Sequence, residues 1–174
     1  LFTTNQGIGG VRPEDAWRPM YVHTNHAGVL ETAPSWRSAE ISIQNTGGAI
    51  DYDGDGDLDV AVSKWVNFET CLYRNDGGTL ETTPIWGVGS DDADRGVAVA
   101  DVDGNGEPDV GFGLDVGGTH VFTNEGGVLT DTYASDPPFD SHQEIALVDL
   151  DHDGDPELVE VHFGDGKTHI YMNT

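Results

Sequence analysis

The chain is short of several things, and each shortage excludes a class of protein. Cys71 is its one cysteine, so no disulfide can staple it internally. Against 32 acidic residues stand only 7 lysines and arginines, a formal net charge of −25. Nucleic acid and anionic membrane surfaces are poor partners for such a chain, because both are gripped through a basic footprint. No run of 18 apolar residues is present, so no segment reads as a transmembrane helix and no membrane insertion is expected. Helical periodicity is missing as well, since no stretch keeps an i, i+3, i+4 apolar pattern for ten or more residues. There is no G-x-S-x-G elbow, no phosphate-binding glycine loop and no N-x-[ST] sequon.

What the chain has in excess is acid in three loops. The first carries Asp51, Asp53, Asp55, Asp57 and Asp59. The second carries Asp101, Asp103, Asn105, Glu107 and Asp109, and the third Asp149, Asp151, Asp153, Asp155 and Glu157. All fit D-x-D-x-[DN]-G-x-x-[DE], with oxygen side chains at positions 1, 3, 5 and 9 and glycine at position 6. Carboxylates this dense repel one another unless a cation sits among them, and hard oxygen donors in this number suit Ca²⁺. The expectation is about three Ca²⁺ per chain. An EF-hand is the nearest rival. Its position 12 would be Glu160 in the third loop but Val62 and Phe112 in the others, and strand-like runs replace the flanking helices.

The loops begin at 51, 101 and 149, and their surroundings repeat with them. Tyr21–Asn25, Cys71–Asn75, His120–Asn124 and His169–Asn173 are one segment seen four times. Gly28–Trp36 matches Gly78–Trp86, and Gly127–Tyr133 is a weaker copy. Short runs rich in Val, Thr and aromatics, broken by Gly, Asn and Asp, read as strands. Four of them per 48 to 50 residues is the arithmetic of a propeller blade. The fold expected is all-β: tandem four-stranded antiparallel blades, about three and a half repeats. The units run 1–39 (a degenerate partial repeat), 40–90, 91–139 and 140–174 (a truncated repeat). Counting the period back from Asp51 sets Leu1 where a loop would start, and Leu1–Gly9 has no carboxylate.

A strand, the nine-residue acidic loop, a second strand and then Leu72-Tyr-Arg-Asn-Asp-Gly-Gly78 together resemble the FG-GAP/VCBS repeats, from roughly residue 18 to residue 174. That family builds integrin-α-like β-propellers and many bacterial surface proteins. The resemblance implies a loop joining the first two strands of each blade. It also implies metal held by side chains at positions 1, 3, 5 and 9 and by the backbone carbonyl at position 7. It extends to some propeller lectins.

No catalytic constellation stands out. His120 and His169 share a repeat position with Tyr21 and Cys71, which argues against conserved chemistry there. Carboxylates committed to a cation are not free to act as a glycosidase pair. Cys71 sits mid-strand among apolar neighbours and reads as a buried, inert thiol. Trp36 and Trp86 read as packing residues, Trp17 and Trp65 as the better candidates for an exposed platform. The expected function is therefore non-catalytic: an extracellular or cell-surface binding, adhesion or assembly module, with no catalytic residues and no organic cofactor. Its partners would be a protein, a glycan or copies of itself. Alternatives are a lectin, the propeller of a larger polysaccharide-acting enzyme, or a filament subunit. Three and a half blades do not close a ring easily, so the chain is expected to be part of a longer chain, a ring or a filament.

Overall fold

The structure is a computed structural model and describes residues 2–3, 18–65, 69–89, 94–114, 118–135, 142–162 and 166–174. Among these residues every regular element is a strand, and all pairing is antiparallel. The second sheet runs Gln44–Ile50, Asp59–Lys64, Glu69–Tyr73 and Trp86–Gly89, each strand beside the next in sequence. The third repeats this as Asp94–Ala100, Asp109–Leu114, Thr119–Asn124 and Leu129–Ala134. The fourth has three strands, His142–Val148, Glu157–His162 and Thr168–Tyr171. The first is small: Phe2–Thr3, Tyr21–Val22 and Trp36–Arg37. Among the described residues the sheets follow one another as an open series. In the second, third and fourth sheets the acidic loop joins the first two strands.

Sequence chemistry explains how the third strand turns into the fourth. Asn25–His26 pairs with Val29–Leu30, and Asn75–Asp76 with Thr79–Leu80, in two tight hairpins whose turn residues have positive φ. These hairpins are not anticipated by the repeat pattern. After each, the chain leaves the ladder and rejoins it at Trp36 opposite Val22, or at Trp86 opposite Leu72. Pro34 and Pro84 lie in these detours, where a residue without an amide hydrogen cannot extend the ladder. The third sheet has no proline there, and pairing runs from Asn124↔Leu129 to His120↔Ala134 with one register shift.

Leu72 faces Ala61, so the repeat period would put Val11 opposite Val22. Instead Phe2 pairs with Val22 and Thr3 with Tyr21. Phe2–Thr3 therefore stands as a strand beside Tyr21–Val22, and the rest of Leu1–Gly9 lies outside the described residues. Phe and Thr favour strands, whereas Gly9-Gly10 and Pro13 near the expected position do not.

The sheets pack face to face, and the core lies in the seams. Between the second and third sheets Ile50, Ala61 and Leu72 meet Val110, Phe112 and Phe122. Between the first and second, Met20, Val60, Val62, Cys71 and Tyr73 are buried with Trp36 against them. Ala98, Ile145 and Leu158 fill the seam between the third and fourth. Each large side chain buried this way contributes about 1.5–3 kcal/mol. Trp36 crosses its seam to meet Tyr73 edge-on at 5.9 Å, and its indole N–H donates to Leu80 O. Trp86 meets Phe122 edge-on in the same way one repeat later, at 5.1 Å, and also stacks on Phe112 at 6.2 Å. Tyr133, opposite Val121, holds the equivalent place in the third sheet and meets Tyr171 at 6.3 Å. Two tryptophans expected to be structural are so.

Candidate metal centres

Each acidic loop is a wrapped turn fixed by its own side chains. At position 6 Gly56, Gly106 and Gly154 have φ of 92°, 91° and 103°, a region that disfavours any side chain. The amides of Gly56 and Gly106 donate to Oδ2 of Asp51 and Asp101, at 3.2 and 2.9 Å. This draws position 1 across the turn. Position 9 is the buried anchor: Asp59, Asp109 and Glu157 are fully buried. Asp59 accepts the amides of Tyr52 and Asn75 at 2.9 and 2.7 Å. Asp109 accepts those of Val102 and Asn124 at 2.6 and 2.7 Å. Glu157 accepts Leu150 N at 2.7 Å.

The result is three convergent carboxylate triads. Asp51, Asp53 and Asp59 each bring an oxygen within 4.8 Å of the others, as do Asp101, Asp103 and Asp109, and Asp149, Asp151 and Glu157. Positions 1, 3 and 9 of the motif thus come together. Position 5 also braces the turn, as position 3 does where Asp103 and Asp151 accept the amides of Asn105 and Asp153. Asp55, Asn105 and Asp153 accept the amide two residues on, from Asp57, Glu107 and Asp155. At position 7 the Asp57 and Glu107 side chains turn to the hairpin amides of Gly77 and Gly126, leaving the backbone carbonyl as the group that could face an ion. Asp155 shows only the amide bond from its own backbone to Asp153.

The electrostatics of the triads are unfavourable without a counter-charge. Burial, with the nearby Asp53 and Asp55 charges, pushes the Asp59 carboxyl above its usual range, although two amides pull the other way. Asp109 is raised by burial, with Asp103 and Asp101 adding to it. Asp51 Oδ1, Asp101 Oδ1 and Glu157 Oε1 are buried with no hydrogen-bond partner. A buried acceptor left unmatched costs about 1–3 kcal/mol, more for a charged group. A divalent cation among the triad oxygens would answer both problems, and the all-oxygen donor set fits Ca²⁺ or Mg²⁺ over softer metals.

Asn75, Asn124 and Asn173 recur one per repeat, a signal of a shared role that lies outside the acidic motif. Asn75 and Asn124 give their backbone amides to the position 9 carboxylates. Trp65 is 45% exposed beside the Arg95 guanidinium, 5.1 Å from its ring centroid. Trp17 lies outside the described residues. No helix among the described residues is long and apolar enough to cross a membrane.

Residues 51–112 match the family model of the FG-GAP-like repeat. The matched stretch takes in the first two acidic loops and the strands between them. No curated protein matches the chain.

Proposed function

We propose that the chain is a non-catalytic, calcium-binding module of the β-propeller type that works outside the cell as an adhesion, binding or assembly scaffold. In this reading the sheets are blades and the acidic loops are structural Ca²⁺ sites. The observation that carries it is the pair of buried, unpartnered oxygens, Asp51 Oδ1 and Asp101 Oδ1, each set in an equivalent carboxylate triad. Asp51, Asp53 and Asp59 would hold one ion, Asp101, Asp103 and Asp109 a second, and Asp149, Asp151 and Glu157 a third. The ion's chemistry is charge neutralisation: it lets carboxylates share a turn and so adds its binding energy to folding.

The FG-GAP-like match supports the blade reading of the sheets. An extracellular setting suits loops of this openness, because calcium there is abundant enough for modest affinity. Calorimetry or native mass spectrometry on chelated and refilled protein tests the proposal. About three Ca²⁺ per chain with a raised melting temperature is expected. A stoichiometry of one, or tighter binding of Zn²⁺, overturns it. Light scattering with and without Ca²⁺ then separates a monomeric scaffold from a ring or filament.

A further inference from the structure

We propose that the asparagine at or just past the end of a sheet's third strand is a positioning residue for the metal loop of the preceding sheet, so that the first and second loops are each completed by the next sheet. This rests on the cation reading of the loops. Asn124 Nδ2, in the third sheet, donates to Tyr52 O of the first loop at 2.9 Å, across 72 residues of sequence. One repeat on, Asn173 Nδ2 of the fourth sheet donates to Val102 O of the second loop at 2.8 Å, across 71 residues. Tyr52 and Val102 are both position 2, between the carboxylates of positions 1 and 3.

Position 2 is thereby held through both of its backbone polar groups, one in each of the two peptide units that flank it. Its amide is taken by position 9 of its own loop, through Asp59 Oδ2 or Asp109 Oδ2. Its carbonyl is taken by the asparagine of the next sheet. With both fixed, the residues bearing the position 1 and position 3 carboxylates cannot swing apart to relieve their repulsion. A donor set held together before the ion arrives loses less freedom on binding, which is how groups behind the ligands raise affinity.

The clamp is itself well anchored. Asn124 is 1% exposed, and its Oδ1 accepts Gly127 N at 3.0 Å, which settles which way the amide points. Its Nδ2 also reaches Pro108 O of its own loop at 3.3 Å. Asn75 makes the same own-loop contact, to Leu58 O at 3.2 Å. Gly127 lies close against the first loop: a Cβ built there would stand 3.6 Å from the Tyr52 ring and 3.8 Å from Asp53 Cα. Coupling of this kind is reciprocal, so an ion in one loop tightens the docking of the next sheet.

The test is a Ca²⁺ titration of the ¹⁵N-labelled full chain, following the position 6 amides of Gly56, Gly106 and Gly154 as separate reporters of the three loops. Asn173→Ala is expected to weaken Ca²⁺ at Gly106 about tenfold while leaving Gly154 unchanged, although residue 173 belongs to the sheet of the third loop. Asn124→Ala is expected to weaken binding at Gly56 and again spare Gly154. Because Asn124 is buried, the half-buried Asn173 decides the matter if the Asn124 variant loses its fold. Weakening at Gly154 in place of Gly106, or unchanged affinity at all three loops in Asn173→Ala, overturns the clamp alone. A parent chain whose glycine amides ignore Ca²⁺ overturns the cation reading, and the clamp falls with it.

Discussion

Lys64 places its ammonium 2.6 Å from the Glu40 carboxylate, with only 3% of its side chain exposed against 37% for Glu40. The two are not equivalent. Losing Lys64 would leave a carboxylate that can turn to water, whereas losing Glu40 would leave a buried cation. Breaking a buried pair from the side that strands the charge costs about 3–5 kcal/mol. Glu40→Ala should therefore destabilise by roughly that amount, and Lys64→Met by about 1–2 kcal/mol less, in urea denaturation followed by tryptophan fluorescence.

Cys71 lies against this pair, and burial pushes its thiol up from 9.0 to about 11, with Lys64 opposing the rise. An acid whose pKa is higher in the fold than in the unfolded chain contributes stability that is intact below the unfolded value. That contribution fades as pH climbs through the folded value. Thermal stability should fall between pH 9 and 11, and Cys71→Ala should blunt the fall. At pH 8 the native thiol should resist iodoacetamide while the urea-unfolded chain is alkylated.

Positions 3 and 9 of the loops should respond differently to chelation. Asp53 is exposed and faces the triad, while Asp59 is buried and holds two backbone amides as well. In Ca²⁺, Asp53→Ala and Asp59→Ala should both lower the melting temperature. In EDTA the Asp53→Ala effect should vanish, while Asp59→Ala should still cost about 1–3 kcal/mol, because two buried amides lose their acceptor. Equal effects of the two in EDTA would count against the division of labour.

His152 fills position 4 with φ of 65°, where Gly54 and Gly104 sit in the other loops at 72° and 73°. A side chain in the left-handed region costs about 1 kcal/mol. His152→Gly should thus raise stability by about 0.5–1 kcal/mol, read as a higher urea midpoint at an unchanged slope.

The loops and the strands around them were legible because their signal is local. A carboxylate at every second position with glycine at the sixth specifies a wrapped turn, and Val-Ala-Val runs beside it specify strands. Positions 1, 3, 5 and 9 were expected as ligands together, and the carboxylates of 1, 3 and 9 converge. Hidden at position 5 was the amide that Asp55 and Asn105 accept from position 7, which a ligand pattern does not state. The link from Asn124 to Tyr52 was hidden for another reason: a contact over 72 residues is set by how two sheets face each other, which no period in the sequence states. Trp86 is the instructive middle case. Its recurrence after Trp36 pointed to packing, but only the register opposite Leu72 shows Tyr133 in the same role.

The seam between the third and fourth sheets sets glycine against a neighbouring side chain, as Gly48 is set against Val99 in the seam before it, but at closer range. A Cβ at Gly96 would stand 2.8 Å from Ile145 Cγ1 and 2.9 Å from its backbone nitrogen, and one at Gly113 would stand 2.9 Å from Ile145 Cγ2. At Gly96 the Ile145 backbone nitrogen is as close as its side chain, so turning the side chain aside would not by itself make room. A methyl group at Gly96 would act as a wedge and not as a filler, prying the two sheets apart about Ile145. Across a row of such sheets one added carbon would change the curvature of the whole row, which makes these two glycines a setting for its shape more than for its strength.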